Sequence, residues 1–170
     1  MKQENRIQHI LKTPKPVTLR SVCADDDAFL LEVYASTRLD ELAATPWDES
    51  QREAFLRLQF AAQQQHYQSH YPEADHQLIL LDGRKIGRVY VARRTDEVRI
   101  LDIALLPEHR NSGIGTSMIN AIQSEASKMG TPVRIYVESF NPSLRLFERL
   151  GFASVQDIGT HLLMEWRGPA

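Results

Sequence analysis

Leu101-Asp-Ile-Ala-Leu-Leu-Pro-Glu-His-Arg110 runs directly into Asn111-Ser-Gly-Ile-Gly-Thr116, and this stretch decides the reading of the chain. A strand-like apolar run stops at Pro107, a loop with two glycines follows, and a periodic apolar segment then continues to Met129. A helix beginning after such a loop leaves its first backbone N–H groups without intrahelical partners, and its dipole adds partial positive charge there. The result is a place for a phosphate that needs no lysine. Gly113 and Gly115 allow close approach of the backbone to a ligand, and Arg110 brings a permanent charge for an anion. A nucleotide P-loop needs four residues between its glycines and then Lys-Ser/Thr, whereas one residue separates them here and Thr116-Ser117 follow without lysine. A dinucleotide fingerprint needs a third glycine at position 118, which is Met118, and an acid about twenty residues on. Both are excluded, and Arg110-x-x-Gly113-x-Gly115 remains.

Outward from this stretch the chain alternates between the two periods. Val17 to Val22 reads as a first strand. Asp25-Asp-Asp27 supplies a helix N-cap, and Phe29, Leu30, Val33, Tyr34 and Thr37 follow at helical spacing to about Arg38. Thr45-Pro-Trp-Asp48 reads as the next helix start, with Phe55, Leu58 and Ala62 as its apolar stripe toward Tyr71. Gln77 to Leu81 and Lys85 to Arg94 are strands joined by Asp82-Gly83, a hairpin turn that requires positive φ. Val98 to Leu106 is nearly continuous apolar, as in a strand covered on both faces, with Asp102 interrupting it. The helix after the glycine loop shows Ile114, Met118, Ile122, Ala126 and Met129 on one face, and Gly130 and Pro132 stop it. Val133, Ile135 and Val137 alternate with Arg134, Tyr136 and Glu138 in a half-buried strand. Asn141-Pro142 opens a short helix that closes at Leu150-Gly151, and two last strands, Phe152 to Asp157 and Thr160 to Trp166, pair about Ile158-Gly159.

The totals narrow the function classes. A chain of 170 residues supports one well-buried core but not two comfortable domains. A formal net charge of −2 gives no basic face for nucleic acid or an anionic membrane. No apolar run approaches about 18 residues, and Met1-Lys-Gln-Glu-Asn-Arg6 lacks a signal-peptide core, so a cytoplasmic location is expected. The single cysteine, Cys23, excludes an intramolecular disulfide and reads as an inert thiol. The six histidines show no metal spacing, His66 and His70 reading as a solvated helix face, and no metal is expected. Residues 1–16 carry Lys2, Arg6, Lys12 and Lys15 and end in Pro14-Lys-Pro16; they are expected to form a flexible N-terminal arm ahead of a domain at 17–170.

Arg110-x-x-Gly113-x-Gly115 resembles the Arg/Gln-x-x-Gly-x-Gly/Ala signature of the GCN5-related N-acetyltransferase (GNAT) superfamily. Asn141-Pro-Ser-Leu-Arg-Leu-Phe-Glu-Arg-Leu-Gly-Phe152 is similar to its second signature, in the family's order and spacing, and the resemblance runs from about Val17 to Trp166. It implies a mixed α/β single domain, with a central, mostly antiparallel sheet of six to seven strands flanked by about four helices. It also implies direct transfer of an acetyl group from acetyl-CoA to a primary amine in a ternary complex. By the same resemblance, the fourth and fifth strands part at their ends to take the pantetheine arm against the backbone of Ile103, Ala104 and Leu105. The pyrophosphate then lies on Arg110, Asn111, Ser112, Gly113, Ile114, Gly115 and Thr116. Dimers are frequent in the superfamily, so a homodimer is one expectation for the assembly.

Several residues carry two readings. Asn141 matches the family's pantetheine-binding asparagine and is also an ordinary helix cap before proline. Asp102, Tyr136 and Glu138 flank the expected gap as acid–base groups, or serve as surface and ladder residues. Trp47, Tyr67 and Tyr71 contact the acceptor, or pack a helix. Phe147 stands beside the cofactor where many relatives carry a tyrosine that protonates the leaving thiolate, which leaves a non-catalytic acyl-CoA-binding sensor or interaction module as the alternative function. A lysine amine of pKa ~10.4 requires roughly 4.6 kcal/mol to be neutral at pH 7 and an α-amine about 1, so a small-molecule or α-amine is the easier acceptor.

Overall fold

The computed structural model describes residues 17–169; the expected arm at 1–16 lies outside the described residues. Seven strands form one sheet in the order β1-β2-β3-β4-β5-β7-β6. They are β1 (Val17–Ser21), β2 (Asp75–Leu81), β3 (Arg84–Arg93), β4 (Val98–Leu105), β5 (Val133–Glu138), β6 (Ala153–Asp157) and β7 (His161–Trp166). Every neighbouring pair is antiparallel except β4 and β5. Among the described residues five helices accompany the sheet: α1 (Asp27–Ser36), α2 (Leu39–Ala43), α3 (Glu49–His70), α4 (Ile114–Met129) and α5 (Leu144–Arg149). The expected sheet and class are therefore observed, and the short α2 is the additional helix.

The main core lies between the sheet and α4 with α5. Ile114, Met118, Ile119, Ile122 and Ala126 of α4 pack on Val89 and Val91 of β3, Val98 and Ile100 of β4, and Val133, Ile135 and Val137 of β5. Met129 does not join them; at 46% exposure it lies past the last turn that meets the sheet. On the opposite face Val33 of α1 packs with Ala104 and Leu106, and Phe29 leans on them. The hairpin turn carries Asp82 at φ 50° and Gly83 at φ 76°, the left-handed pair that its sequence requires.

The long helix α3 corrects two expectations. Its cap is Asp48, not Thr45: the Asp48 carboxylate accepts from Gln51 N at 2.8 Å and the Gln51 side chain accepts from Asp48 N at 3.0 Å. A carboxylate facing a glutamine three residues on closes both donors, so the helix starts four residues after Thr45. The expected stripe is also turned: Leu58 is 68% exposed and Ala62 is exposed, while Leu56, Phe60, Gln63 and Tyr67 face inward. No residue of this 22-residue helix is fully buried, and two of its inward residues are polar enough to serve a site rather than a core.

Asp26 was expected as a plain helix cap and instead forms a buried ion cluster. It is 1% exposed, held by Arg20 Nη1 and Nη2 at 2.9 Å each and by Lys85 Nζ at 2.6 Å, and it accepts from Cys23 N at 2.9 Å. These contacts pin the entry of α1 to strands β1 and β3.

Candidate active site

Strands β4 and β5 pair only over Val98–Ile100 and Val133–Ile135. Beyond Ile100 the two strands have no ladder, so the β5-facing backbone of β4 from Leu101 to Leu105 lies without a strand partner on that side. A β-bulge sets in at the same point, where Tyr90 pairs with Asp102 and Val91 with Ile100, leaving Leu101 as the extra residue. A bulge shifts the side-chain phase by one. Val98 and Ile100 face the α4 core before it; after it Ile103 and Leu105 lean on that core while Ala104 packs with α1. Asp102 consequently faces α1 and α3, a direction the sequence alone did not settle.

Past β4 the chain makes one turn, Pro107–His109, and reaches the glycine loop. Asn111 at φ 56° and Gly113 at φ 84° are both left-handed, and they turn the chain into α4. The first intrahelical bond is Ser117 N to Gly113 O at 3.0 Å, and no side chain caps the helix. The amides of Ile114, Gly115 and Thr116 therefore point out of the helix end without a capping partner among the described residues. Gly113 has a reason within the fold, since its φ is one that L side chains rarely adopt. Gly115 does not: its φ is ordinary, and a Cβ there would meet no protein atom within 4 Å. Ser112 Oγ donates to His109 O at 2.6 Å and stiffens the loop. Arg110 donates from Nε to Leu105 O at 3.0 Å and from Nη2 to Ser36 Oγ at 3.1 Å and Ser36 O at 3.3 Å. These contacts tie the loop to the ends of β4 and α1.

The three carboxylate and phenol candidates share the sheet face opposite α4. Asp102 Oδ2 is paired with Arg88 Nη2. Glu138 Oε1 accepts from Arg38 Nη1 at 2.8 Å, and the same nitrogen reaches Glu41 Oε1 at 2.9 Å, so the α1–α2 junction is tied to β5. Burial lowers the pKa of Arg38, and the Glu138 hydrogen bond and charge, with Tyr34 and Glu41 adding, outweigh it and raise the pKa above its ordinary value. Tyr136 is 44% exposed, with the Arg99 guanidinium 5.0 Å from its ring centre. Asn141 Oδ1 accepts from Ser143 N at 2.9 Å, which is a local turn contact, and the residue is exposed. Phe147 is 3% exposed and set edge-on to Phe152 at 5.3 Å in the main core.

The aromatic acceptor candidates also separate. Trp47, two residues ahead of α3, packs on Phe55 of that helix at 5.0 Å, and Tyr71, the C-cap of α3, lies under Arg94 at 4.5 Å. These two aromatics thus pack at opposite ends of α3. Tyr67 alone reaches the bulge, where its hydroxyl donates to Leu101 O at 2.9 Å. Burial, then the nearby Asp102 charge, push its phenol well above the ordinary range, so it stays a donor. Sequence reading missed Arg88, Gln63 and Arg38. The signal for Arg88 was a lone cation inside the apolar run Ile86-Gly-Arg-Val-Tyr-Val91. Gln63 had none, because a glutamine in a glutamine-rich helix looks solvated. Among the described residues no three His, Cys, Asp or Glu side chains group as a metal site.

The sequence model of the acetyltransferase (GNAT) family matches residues 36–152, more than half of the chain. No curated protein sequence matches significantly. The fold is similar to that of the PaiA N-acetyltransferase from Thermoplasma acidophilum in complex with coenzyme A, at 19% identity and TM-score 0.68, covering 89% of this chain and 99% of that one. It is similar to an acetyltransferase from Thermus thermophilus at 16% identity and TM-score 0.62, with coverage of 93% and 99%. It is also similar to the ribosomal-protein-S18-alanine N-acetyltransferase from Escherichia coli at 18% identity and TM-score 0.59, with coverage of 89% and 93%. A parted β4/β5 pair, a bulge beside it and an uncapped helix entered through a left-handed glycine agree with the family match: the chain belongs to the GNAT family of acetyltransferases.

Proposed function

We propose that this protein transfers an acetyl group from acetyl-CoA to a primary amine by direct attack within the β4/β5 gap. The observation that carries the reading is Gly115, a glycine in the first turn of α4 that neither backbone conformation nor any protein neighbour requires. A bound pyrophosphate requires it, because a side chain there would stand between the anion and the outward amides. The relative solved with coenzyme A supports the choice of ligand. Bound acetyl-CoA supplies an activated thioester. The unpaired β4 amides between Ile103 and Leu105 hold the pantetheine arm and donate to the oxygen on which charge collects during attack. Asn141, exposed beyond β5, adds an amide donor to the same arm.

Asp102 accepts the proton that the amine loses, and Glu138 on the facing strand attracts the incoming ammonium. A thiol of pKa about 8.5 leaves as thiolate at a cost of about 2 kcal/mol at pH 7, so Phe147 in place of a hydroxyl slows the step without blocking it. Tyr136 is the exposed hydroxyl on the flank of the gap that supplies this proton. A small-molecule or α-amine remains the preferred acceptor on the cost of neutralising it.

The alternative, a non-catalytic acyl-CoA sensor, draws its support from the burial of Phe147. One assay separates the two: release of coenzyme A thiol from acetyl-CoA, with and without a panel of primary amines. Release that depends on an amine supports the enzyme. Tight binding of acetyl-CoA with no amine-dependent release overturns it in favour of the sensor.

A further inference from the structure

One charged side chain sits against the packing rules on the acceptor side of the sheet. Arg88 is 2% exposed, and its cross-strand neighbours in register are Leu78 and Ala104, both apolar. A single nitrogen, Nη2, serves both Asp102 Oδ2 and Gln63 Oε1, the latter at 2.8 Å. Nε and Nη1 are buried and have no partner among the described residues. The ring of Phe60 lies 5.7 Å from the guanidinium carbon. Unfilled buried donors cost stability, and a buried ion pair is often no better than an apolar pair of the same volume. Stability therefore does not account for Arg88.

Its location does. The pair ends on Asp102, the first residue after the bulge, whose side chain is 20% exposed. The second carboxylate oxygen, Oδ1, takes no hydrogen bond from the protein among the described residues, so it is open to a ligand. One helical turn beyond Gln63, Tyr67 donates to the carbonyl of Leu101, the extra residue of the bulge. Two polar side chains of α3 thus reach the sheet here, Tyr67 at the bulge and Gln63 at Arg88, from a helix that buries no residue of its own.

We propose that Arg88 is a positioning residue for the acyl transfer, holding Asp102 at the bulge with one oxygen free for the acceptor amine, and that Gln63 and Tyr67 make α3 the clamp that fixes this arrangement. The inference rests on the reading of Asp102 as the proton acceptor. As the N–C bond forms, the amine proton passes to Asp102 Oδ1 and the C–S electron pair leaves with the coenzyme A sulfur. Arg88 touches neither reactant; it fixes the oxygen that does.

The test measures amine-dependent release of coenzyme A thiol for the full chain, using acetyl-CoA and the primary amine that gives the highest rate with the wild type. Asp102→Asn is expected to lower kcat by about 10²- to 10⁴-fold. Gln63→Leu and Arg88→Lys, which loosen the carboxylate without removing it, are expected to lower kcat about tenfold or more while the KM for acetyl-CoA stays within about twofold. The double variant Arg88→Met with Asp102→Leu is expected to melt no lower than the wild type and to lose the activity. If Asp102→Asn is slow and both Gln63→Leu and Arg88→Lys keep their kcat, the positioning role is overturned and the base survives. If Asp102→Asn keeps the wild-type rate, or the wild type turns over no amine, the base and its positioning residue fall together. A charge-free double variant that fails to fold would show a structural pair and overturn the inference independently of activity.

Discussion

Replacing Gly115 separates the needs of the fold from those of the ligand. A Cβ at this position meets no protein atom within 4 Å, and the backbone is not left-handed. Gly115 lies at the second position of α4, where a non-glycine residue removes about 0.5–1 kcal/mol of conformational penalty and a carboxylate interacts favourably with the helix dipole. Gly115→Asp is therefore expected to stabilise the free protein by roughly 1 kcal/mol, about 2–4 °C in melting temperature for a chain of this size. The same carboxylate would stand against the pyrophosphate. Two like charges about 4 Å apart at an effective dielectric near 20 repel by about 4 kcal/mol, which is a loss of several hundredfold in affinity. Gly115→Ala, which adds size without charge, shares the stabilisation and isolates the steric part. Thermal melts of the free proteins and calorimetric titration with acetyl-CoA read the two effects separately. An Asp variant that melts higher yet binds acetyl-CoA within about threefold of the wild type would refute the placement of the phosphates at this helix end. One that melts lower would refute the account of the free glycine.

Three further outcomes are expected. Asp26, clasped by Arg20 and Lys85, has its carboxyl held well below the usual carboxylate range, chiefly by the Arg20 hydrogen bonds, so its contribution is present above about pH 4 and lost as pH falls below it. Asp26→Asn should lower stability by about 2–3 kcal/mol, discounted because Arg20 and Lys85 are 40% and 38% exposed, and should flatten the acid side of a denaturation-versus-pH curve. His76 stacks on Tyr90 at 4.2 Å and its pKa is lowered to about 4, first by burial and then by Arg88. Below its unfolded value near 6.5 the unfolded chain binds the proton first, so stability should fall from about pH 6.5 to 4 by about 2 kcal/mol, and urea melts of His76→Phe should lose that slope. Phe147→Tyr places a hydroxyl in the core beside Phe152 and should cost about 1–3 kcal/mol of stability by chemical denaturation. Its turnover should change less than tenfold if Tyr136 or water already supplies the proton, and a larger gain would show that this proton had been limiting.

Much of the fold was legible from periodicity because burial on one face leaves a local record. Val133, Ile135 and Val137 had to alternate with polar residues once one face of β5 met α4, and Asp82-Gly83 had to be a turn once both residues needed positive φ. The glycine loop was legible for the same reason. The helix α3 was not: its inward face carries Gln63 and Tyr67, which bind polar groups on the sheet, so its hydrophobic pattern pointed to Leu58 on the outside. Arg110 and Phe147 matched signatures by residue type, but the contact of the first with Leu105 O and the burial of the second in the main core depend on residues from other elements.

The sequence by itself determined the family, the order of strands and helices, and the glycine loop that leads into α4, since each depends on residues adjacent in the chain. Only the tertiary structure decided where Asp102 faces, because one extra residue in the ladder with β3 reverses every side chain after it. It likewise decided that Arg88 and Gln63 lie against Asp102. A buried ion pair is assembled by strand register and by the docking of a helix from a distant part of the chain, and neither is recorded in the spacing of the residues that form it.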